Sequence, residues 1–264
     1  MKKFTKYNDK DVCYHLAGQG KTVVLLHGFL ENMDIWENFS AALAKDFQVL
    51  LIDLPGHGQS DLHSFESHSM ELMADIVNDV LEKLNIQKCV MIGHSMGGYV
   101  SLAFAENYQD KLSGFGVFHS HAYADTPEGK INRGRAIQIV KDNHKDFISS
   151  FIPDLFTKEN QKKLSTEINK LQEASKSISK EAVIAALEGM RHRTDKEKLL
   201  KTTNLPVLFI IGKQDPRTPL DKLLPQIALA KHAEVLILDN VAHMGYLEDY
   251  KNTLAFVKHF VDIC

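Results

Sequence analysis

The segment Gly93–Gly98 carries the clearest chemical signal in the chain. It reads Gly-His-Ser-Met-Gly-Gly, and its Ser95 lies between an apolar run that predicts a buried strand and a stretch compatible with a helix. A sharp strand–turn–helix junction pushes the central hydroxyl out above the sheet, and glycines allow the close approach because they lack a Cβ. The pattern therefore favours a nucleophilic Ser95 over a serine in a passive glycine-rich turn.

A serine nucleophile needs a general base, and the base needs an orienting partner. Of the 13 histidines, His243 is the best candidate because it follows the last predicted strand, in the segment Asp239–Gly245. Asp215 follows the preceding strand, where a carboxylate could fix the imidazole tautomer and stabilise the imidazolium. An ordinary loop histidine and an Asp-Pro turn residue are the alternatives. We predict a catalytic triad of Ser95, His243 and Asp215.

An acyl-transfer site also needs two backbone N–H groups aimed at the developing oxyanion. Met96, directly after the serine, is expected to supply one, and Phe29, in the loop after the first strongly apolar run, the other. The Phe29 ring either lines the pocket or packs in the core. His119 and Met244 are expected to border the substrate pocket. A metal site built on His119 and His121 is disfavoured because no further ligands stand out.

Apolar runs and helical patterns alternate along the chain. The runs do not alternate with polar residues, which predicts strands buried on both faces; they are residues 23–26, 49–52, 89–92, 115–118, 207–211 and 235–238. Helical patterns lie near residues 34–44, 67–84, 97–107, 219–231 and 248–262. This alternation predicts an α/β fold with a mostly parallel central sheet and helices on both faces. Residues 5–17 are expected to form one or two antiparallel edge strands.

A helical segment, residues 122–203, interrupts the alternation. Apolar residues recur there at helical spacing, as in Leu164 and Ile168, with lysines and glutamates on the other faces. We predict a core domain of residues 1–121 and 204–264, with this segment inserted as a helical cap, or lid. It would cover the carboxyl ends of the strands, where ligands bind in such sheets. A helical subdomain packed elsewhere is the alternative.

Composition narrows the classes of function. The chain of 264 residues has 31 Lys and Arg against 34 Asp and Glu, a net charge of −3, which argues against a nucleic-acid partner. Its three cysteines form no C-x-x-C pair, so neither a disulfide framework nor a thiolate zinc site is indicated. No apolar run approaches the ~18 residues of a membrane span, and no signal-peptide core is evident. We expect a cytoplasmic monomer or homodimer without stable membrane insertion.

Together the motifs resemble those of serine hydrolases with the α/β-hydrolase fold. The resemblance covers the oxyanion loop, a D-x-P-G-x-G-x-S segment, the elbow, the acid loop and the histidine loop, at residues 27–29, 53–60, 93–98, 212–219 and 241–245. The order serine, aspartate, histidine along the chain is the one expected in this fold. The resemblance implies no metal or organic cofactor. A serine at the elbow also separates the chain from haloalkane dehalogenases and epoxide hydrolases, which resemble one another in carrying aspartate there.

Three functions are compatible with this site. The first is hydrolysis of ester-type bonds in small or medium acyl substrates, through an acyl-enzyme and under a lid that excludes bulk water. The second is cleavage or elimination at a carbon–carbon bond by the same triad, which a substrate carboxylate held by Arg191 or Arg193 would favour. The third is a ligand-binding receptor of the same fold. A complete apparent triad favours an enzyme with a small-molecule substrate.

Overall fold

The computed structural model describes residues 1–64 and 66–264 of the chain. Its strands are β1 (Lys3–Tyr7), β2 (Lys10–Ala17), β3 (Thr22–Leu26), β4 (Gln48–Ile52), β5 (Cys89–His94), β6 (Leu112–Phe118), β7 (Val207–Gly212) and β8 (Ala233–Leu238). They form one sheet in the order β1-β2-β4-β3-β5-β6-β7-β8. The pairings of β1 with β2 and of β2 with β4 are antiparallel, and all the other pairings in this sheet are parallel.

Helices connect the strands and pack around the sheet. They are α1 (Glu37–Leu43), α2 (Met70–Lys83), α3 (Met96–Asn107), α4 (Pro127–Phe151), α5 (Lys158–Lys163), α6 (Ser165–Ser175), α7 (Lys180–His192), α8 (Glu197–Thr202), α9 (Leu220–Ile227), α10 (Gly245–Glu248) and α11 (Tyr250–Ile263). The predicted α/β fold with a mostly parallel sheet is therefore confirmed. In the part of the chain that the structure describes, no helix combines the length and apolarity needed to cross a membrane.

Burial along the strands follows their position in the sheet. Every residue of β3 and β5 is buried, because neighbouring strands flank them and helices cover their faces. The expectation that residues 235–238 are buried on both faces is wrong. β8 is an edge strand, so Val235 and Leu236 are only partly buried and Ile237 is 37% exposed, while Leu238 is buried.

The chain between β6 and β7 forms a helical insertion, α4 to α8, that lies against the carboxyl end of the sheet. The Leu155 carbonyl accepts a hydrogen bond of 2.9 Å from the backbone N–H of His243, in the loop after β8. The Ser175 hydroxyl donates one of 2.6 Å to the Leu30 carbonyl, in the loop after β3. The insertion therefore contacts loops at the ends of two different strands. Its division from the core as a separate cap domain stays a prediction.

Gly189 gives a test of how closely α7 packs against the segment before α2. A Cβ at this position would lie 1.8 Å from the carbonyl oxygen of His68, in the segment before α2. We expect Gly189→Ala to lower the free energy of unfolding by about 1–3 kcal/mol, because helix and segment must move apart. Urea denaturation of the purified protein measures the change.

Gly134→Ala is the matched control for this substitution. Gly134 also lies within a helix, α4, but a Cβ there meets nothing closer than 3.6 Å, in the Arg191 side chain. Its replacement should raise the free energy of unfolding by roughly 0.5–1 kcal/mol through helix propensity. Equal stabilities of the two variants would contradict the close packing at Gly189.

Candidate active site

Ser95 occupies a strained turn between β5 and α3. Its φ of 49° and ψ of −113° lie in a region that residues other than glycine rarely adopt. The neighbouring glycines make the turn possible. A Cβ on Gly93 would lie 2.0 Å from the Gly97 carbonyl oxygen, and a Cβ on Gly97 would lie 2.6 Å from the His27 carbonyl oxygen. The strand and the helix therefore approach closely and present the Ser95 hydroxyl at the start of α3.

Ser95 forms a hydrogen-bonded chain with His243 and Asp215. The distance from Ser95 Oγ to His243 Nε2 is 2.9 Å, and that from His243 Nδ1 to Asp215 Oδ2 is 2.7 Å. Asp215 follows β7 and His243 follows β8, so two adjacent parallel strands deliver them to the same edge. Because Nδ1 donates to the carboxylate, Nε2 of a neutral imidazole can accept the serine proton. The structure thus brings the three predicted residues together, while their catalytic roles stay a prediction.

Donors surround the Asp215 carboxylate. Its Oδ1 accepts hydrogen bonds from the backbone N–H groups of Arg217, at 2.8 Å, and Thr218, at 3.1 Å, and its Oδ2 accepts one from the Thr218 hydroxyl, at 2.6 Å. Burial alone would raise the pKa of Asp215. The charge of His243 and contacts with His119 and His243 outweigh it and hold this pKa well below its usual range. Asp215 therefore stays ionised and can orient the imidazole.

His119 lies behind Asp215 and is fully buried, so the expectation that it borders the substrate pocket is not met. Its Nε2 accepts a hydrogen bond of 3.2 Å from the Gly245 N–H, which leaves the proton on Nδ1, 3.3 Å from Asp215 Oδ2. Burial lowers the pKa of His119 to about 4, so the ring is neutral near pH 7. Ligand-type atoms of His119, Asp215 and His243 lie within 4.8 Å of one another. The hydrogen bond from Gly245 occupies the Nε2 lone pair of His119.

Two backbone N–H groups beside Ser95 are open to an oxyanion. Those of Phe29 and Met96 have no acceptor among the residues that the structure describes. Met96 begins α3, and Phe29 lies in the loop after β3, which turns through Leu30 at a φ of 62°. The adjacent Gly28 N–H is already occupied by a carboxylate oxygen of Glu31, at 2.5 Å. This pattern agrees in geometry with the predicted oxyanion hole, whose function stays a prediction.

A buried ion pair of Glu31 and His94 lies beneath these loops, and sequence reasoning missed Glu31. His94 Nδ1 lies 2.9 Å from Glu31 Oε2, and His94 Nε2 lies 2.8 Å from the His243 carbonyl oxygen. Both nitrogens face acceptors, so the ring is doubly protonated. Burial by itself would lower the pKa of His94, but the Glu31 charge and hydrogen bonds raise it. Tyr246 also donates its hydroxyl to Glu31, at 3.0 Å. The only sequence signal for Glu31 was its place beside the oxyanion loop.

A cavity of about 450 Å³ opens beside Ser95 and His243. Its apolar wall comes from the insertion and the oxyanion loop: Phe29, Phe147, Phe151, Leu155, Leu187 and Met190. Polar groups line another part: Tyr99, His121, Asp125, Asn132, Arg133 and Arg217. Phe29 both lines the cavity and belongs to the buried hydrophobic core. Met244 does not line the cavity, contrary to expectation, since its side chain is buried in the core.

The pair of Glu31 and His94 gives a pH-dependent prediction. Glu31→Gln should lower the free energy of unfolding by about 3 kcal/mol near pH 6, because it removes one partner of a buried pair. The pKa of His94 is raised in the folded state, so the pair's contribution is complete below the ordinary histidine value of 6.5 and is lost as pH rises through the folded value. The difference from wild type should therefore shrink as the pH rises through the folded-state pKa of His94. Denaturation at several pH values measures it.

Glu173→Gln is the control for this experiment. Glu173 forms an exposed ion pair with Lys176 at 2.6 Å. Its replacement should change stability by less than about 1 kcal/mol at every pH. A stability loss in Glu31→Gln that stays constant or grows as pH rises would contradict a charged His94.

Comparisons with known proteins agree with this architecture. A family model described as the alpha/beta hydrolase fold matches residues 21–117. A 2-hydroxy-6-oxononadienedioate/2-hydroxy-6-oxononatrienedioate hydrolase of Paraburkholderia phymatum is 28% identical over 249 residues, which cover 90% of this chain and 86% of that protein. A dihydrolipoyllysine-residue acetyltransferase component of the acetoin cleaving system of Pseudomonas putida is 26% identical over 238 residues. This alignment covers 89% of the chain but only 62% of that longer protein.

Among solved structures, a thermophilic esterase from Thermogutta terrifontis, with malate bound, superposes with a TM-score of 0.93 at 27% identity. The match covers 100% of this chain and 98% of the esterase. An enol-lactonase from Burkholderia xenovorans has a TM-score of 0.91 at 20% identity, over 98% of this chain and 100% of the lactonase, which shows the shared fold. The sequence likeness runs along nine-tenths of the chain and the structural likeness along all of it, so the chain has the α/β-hydrolase fold and is similar to hydrolases of that superfamily.

Proposed function

We propose that the protein is a serine hydrolase that cleaves ester-type bonds of small or medium acyl substrates through an acyl-enzyme. One observation carries the proposal. The hydrogen-bonded chain of Ser95, His243 and Asp215 opens onto a cavity, with two free N–H groups beside the serine. Hydrolase activity is supported by the relatives, which include proteins named as an esterase, an enol-lactonase and a 2-hydroxy-6-oxononadienedioate/2-hydroxy-6-oxononatrienedioate hydrolase.

The proposed reaction uses each of these groups in turn. Ser95 Oγ attacks the substrate carbonyl while its proton moves to His243 Nε2. The tetrahedral oxyanion accepts hydrogen bonds from the N–H groups of Phe29 and Met96. The imidazolium, stabilised by Asp215, then protonates the leaving oxygen, and the alcohol departs. In the second half, His243 takes a proton from water as the water attacks the acyl-enzyme, and it returns a proton to Ser95 Oγ as the acid is released.

Cleavage of a carbon–carbon bond by the same residues is the second candidate, favoured by the relative from Paraburkholderia phymatum. The arginines expected to support it do not line the cavity. Arg193 donates to the carbonyls of Tyr123 and Met190, and Arg191 pairs with Glu188. Ester cleavage needs only a polarised carbonyl and a leaving alcohol, which the described groups serve directly. We therefore place ester-type hydrolysis first.

Ser95→Ala tests the nucleophile. We expect kcat/KM for short 4-nitrophenyl esters to fall by about 10⁴-fold or more, because no other group can form the acyl-enzyme. Labelling by a fluorophosphonate probe should be lost as well. The control is Ser150→Ala, an exposed serine of α4 that donates only to helix carbonyls, and it should keep activity and labelling. Wild-type hydrolysis that survives unchanged in Ser95→Ala would exclude this residue as the nucleophile.

A substrate panel separates the two candidate reactions. Wild type is assayed with matched esters, thioesters, amides and dienoic diketones, and Ser95→Ala is run beside it. We expect kcat/KM for the best ester to exceed that for the best diketone by about 10²-fold, since ester cleavage needs no proton delivery to carbon. Faster cleavage of the diketones, lost in Ser95→Ala, would replace the first candidate by the second.

A further inference from the structure

Two guanidinium groups share one carboxylate at the wall of the cavity beside Ser95. Arg133 of α4 lines the cavity and pairs with Asp125, and Arg193, which does not line the cavity, pairs with the same carboxylate at 2.6 Å. Arg193 is held in place further by stacking 4.1 Å from the centre of the Tyr99 ring. One carboxylate thus serves two guanidinium groups, which leaves this cluster with a net positive charge.

Arg217 adds a second positive charge to the same cavity. Its guanidinium stacks 4.5 Å from the centre of the Phe151 ring and forms no ion pair or hydrogen bond within the described residues. Burial lowers the pKa of Arg217, while Asp154 and Asp215 are its nearest negative charges. A guanidinium nevertheless stays protonated at every physiological pH. The Phe151 ring therefore holds a free cation at the cavity wall.

The remaining titratable groups of the cavity do not neutralise this charge. Glu31 is occupied by His94 and by the Tyr246 hydroxyl. The side chain of Asp215 already accepts hydrogen bonds from His243 and Thr218. His121 is neutral, because burial and then the charge of Arg193 lower its pKa to about 3.

We propose that the natural substrate carries a carboxylate remote from its scissile carbonyl, and that Arg217, supported by Arg133, binds this carboxylate. The inference rests on the proposed function and names the substrate class of the same site. A guanidinium fork can bind a carboxylate through two parallel hydrogen bonds. Arg217 lies two residues after Asp215 on one loop, and its backbone N–H donates to that carboxylate. The loop that orients His243 would thus also fix the far end of the substrate.

The apolar wall fits the rest of such a molecule. Phe147, Phe151 and Leu155 of the insertion line the cavity and can cover a short hydrocarbon chain. If the carboxylate is bound at one end of the cavity and Ser95 lies at the other, the scissile carbonyl is positioned next to the Ser95 hydroxyl. An uncharged ester of the same length would bind the apolar wall alone and would lack this second anchor.

Matched esters test the proposal. Monomethyl adipate is compared with methyl hexanoate, and 4-acetoxybutanoate with butyl acetate, so that the carboxylate lies on the acyl side in one pair and on the alcohol side in the other. At least one anionic ester should have a kcat/KM about 10-fold or more above that of its neutral partner. Arg217→Gln should lower kcat/KM for that ester by about 10- to 100-fold, mainly through KM, and that for the neutral ester by less than about 3-fold.

Arg133→Gln should show the same selective loss to a smaller extent, because Arg133 shares Asp125. The control is Lys141→Gln, since Lys141 is exposed on the same helix and does not line the cavity. This variant should hydrolyse the anionic and the neutral ester of each pair with the kcat/KM of wild type. Calorimetric binding of adipate to Ser95→Ala, weakened about 10-fold or more by the added Arg217→Gln, gives a readout without catalysis.

The outcomes separate this inference from the proposed function. If wild type hydrolyses neutral esters through Ser95 without preferring either anionic ester, the carboxylate anchor is wrong and the hydrolase stands. An equal loss for both members of a pair in Arg217→Gln would also overturn the anchor. If no ester is cleaved and Ser95 resists fluorophosphonate, ester hydrolysis fails. Adipate binding that depends on Arg217 would still support the anchor in that case, and its absence would refute it.

Discussion

The buried ion pair of Glu31 and His94 is the interaction on which the geometry of the site depends. It connects three loops that are far apart in sequence. Glu31 accepts hydrogen bonds from the Gly28 N–H and the Tyr246 hydroxyl, and His94 donates one to the carbonyl of His243. Removal of one partner of a buried charge pair strongly lowers the free energy of unfolding, because the other charge is left unpaired. The loops after β3, β5 and β8 are therefore fixed relative to one another.

Much of the fold could be predicted from local patterns. Buried apolar runs such as Val23–Leu26 identified the strands, and the helices between them indicated that most of the strands are parallel. The meeting of Ser95, Asp215 and His243 was also within reach, because carboxyl ends of parallel strands share one edge. The sequence could not reveal that β8 is the outermost strand. An apolar edge strand and an apolar central strand have the same pattern, so Ile237 was expected to be buried.

The side chains around the proposed triad were harder to predict. α4 was not recognised as a separate helix, because few of its 25 residues are buried and the backbone leaves helical geometry at Asn143. Arg133 was therefore not a candidate. Arg191 and Arg193, considered as carboxylate ligands for the carbon–carbon alternative, do not line the cavity. His119 was placed in the pocket because it follows a strand end. Its orientation depends on Gly245, which is distant in sequence.

The contacts of the insertion limit how far substrate specificity can change in evolution without a change in turnover. Its residues Leu155 and Ser175 are hydrogen-bonded to His243 and Leu30, next to the proposed base and the proposed oxyanion site. A replacement of the insertion by another sequence would change which molecules enter and would also disturb the groups that act on them. New substrate ranges in such an architecture should thus arise more readily by point changes inside the existing helices than by exchange of the whole segment.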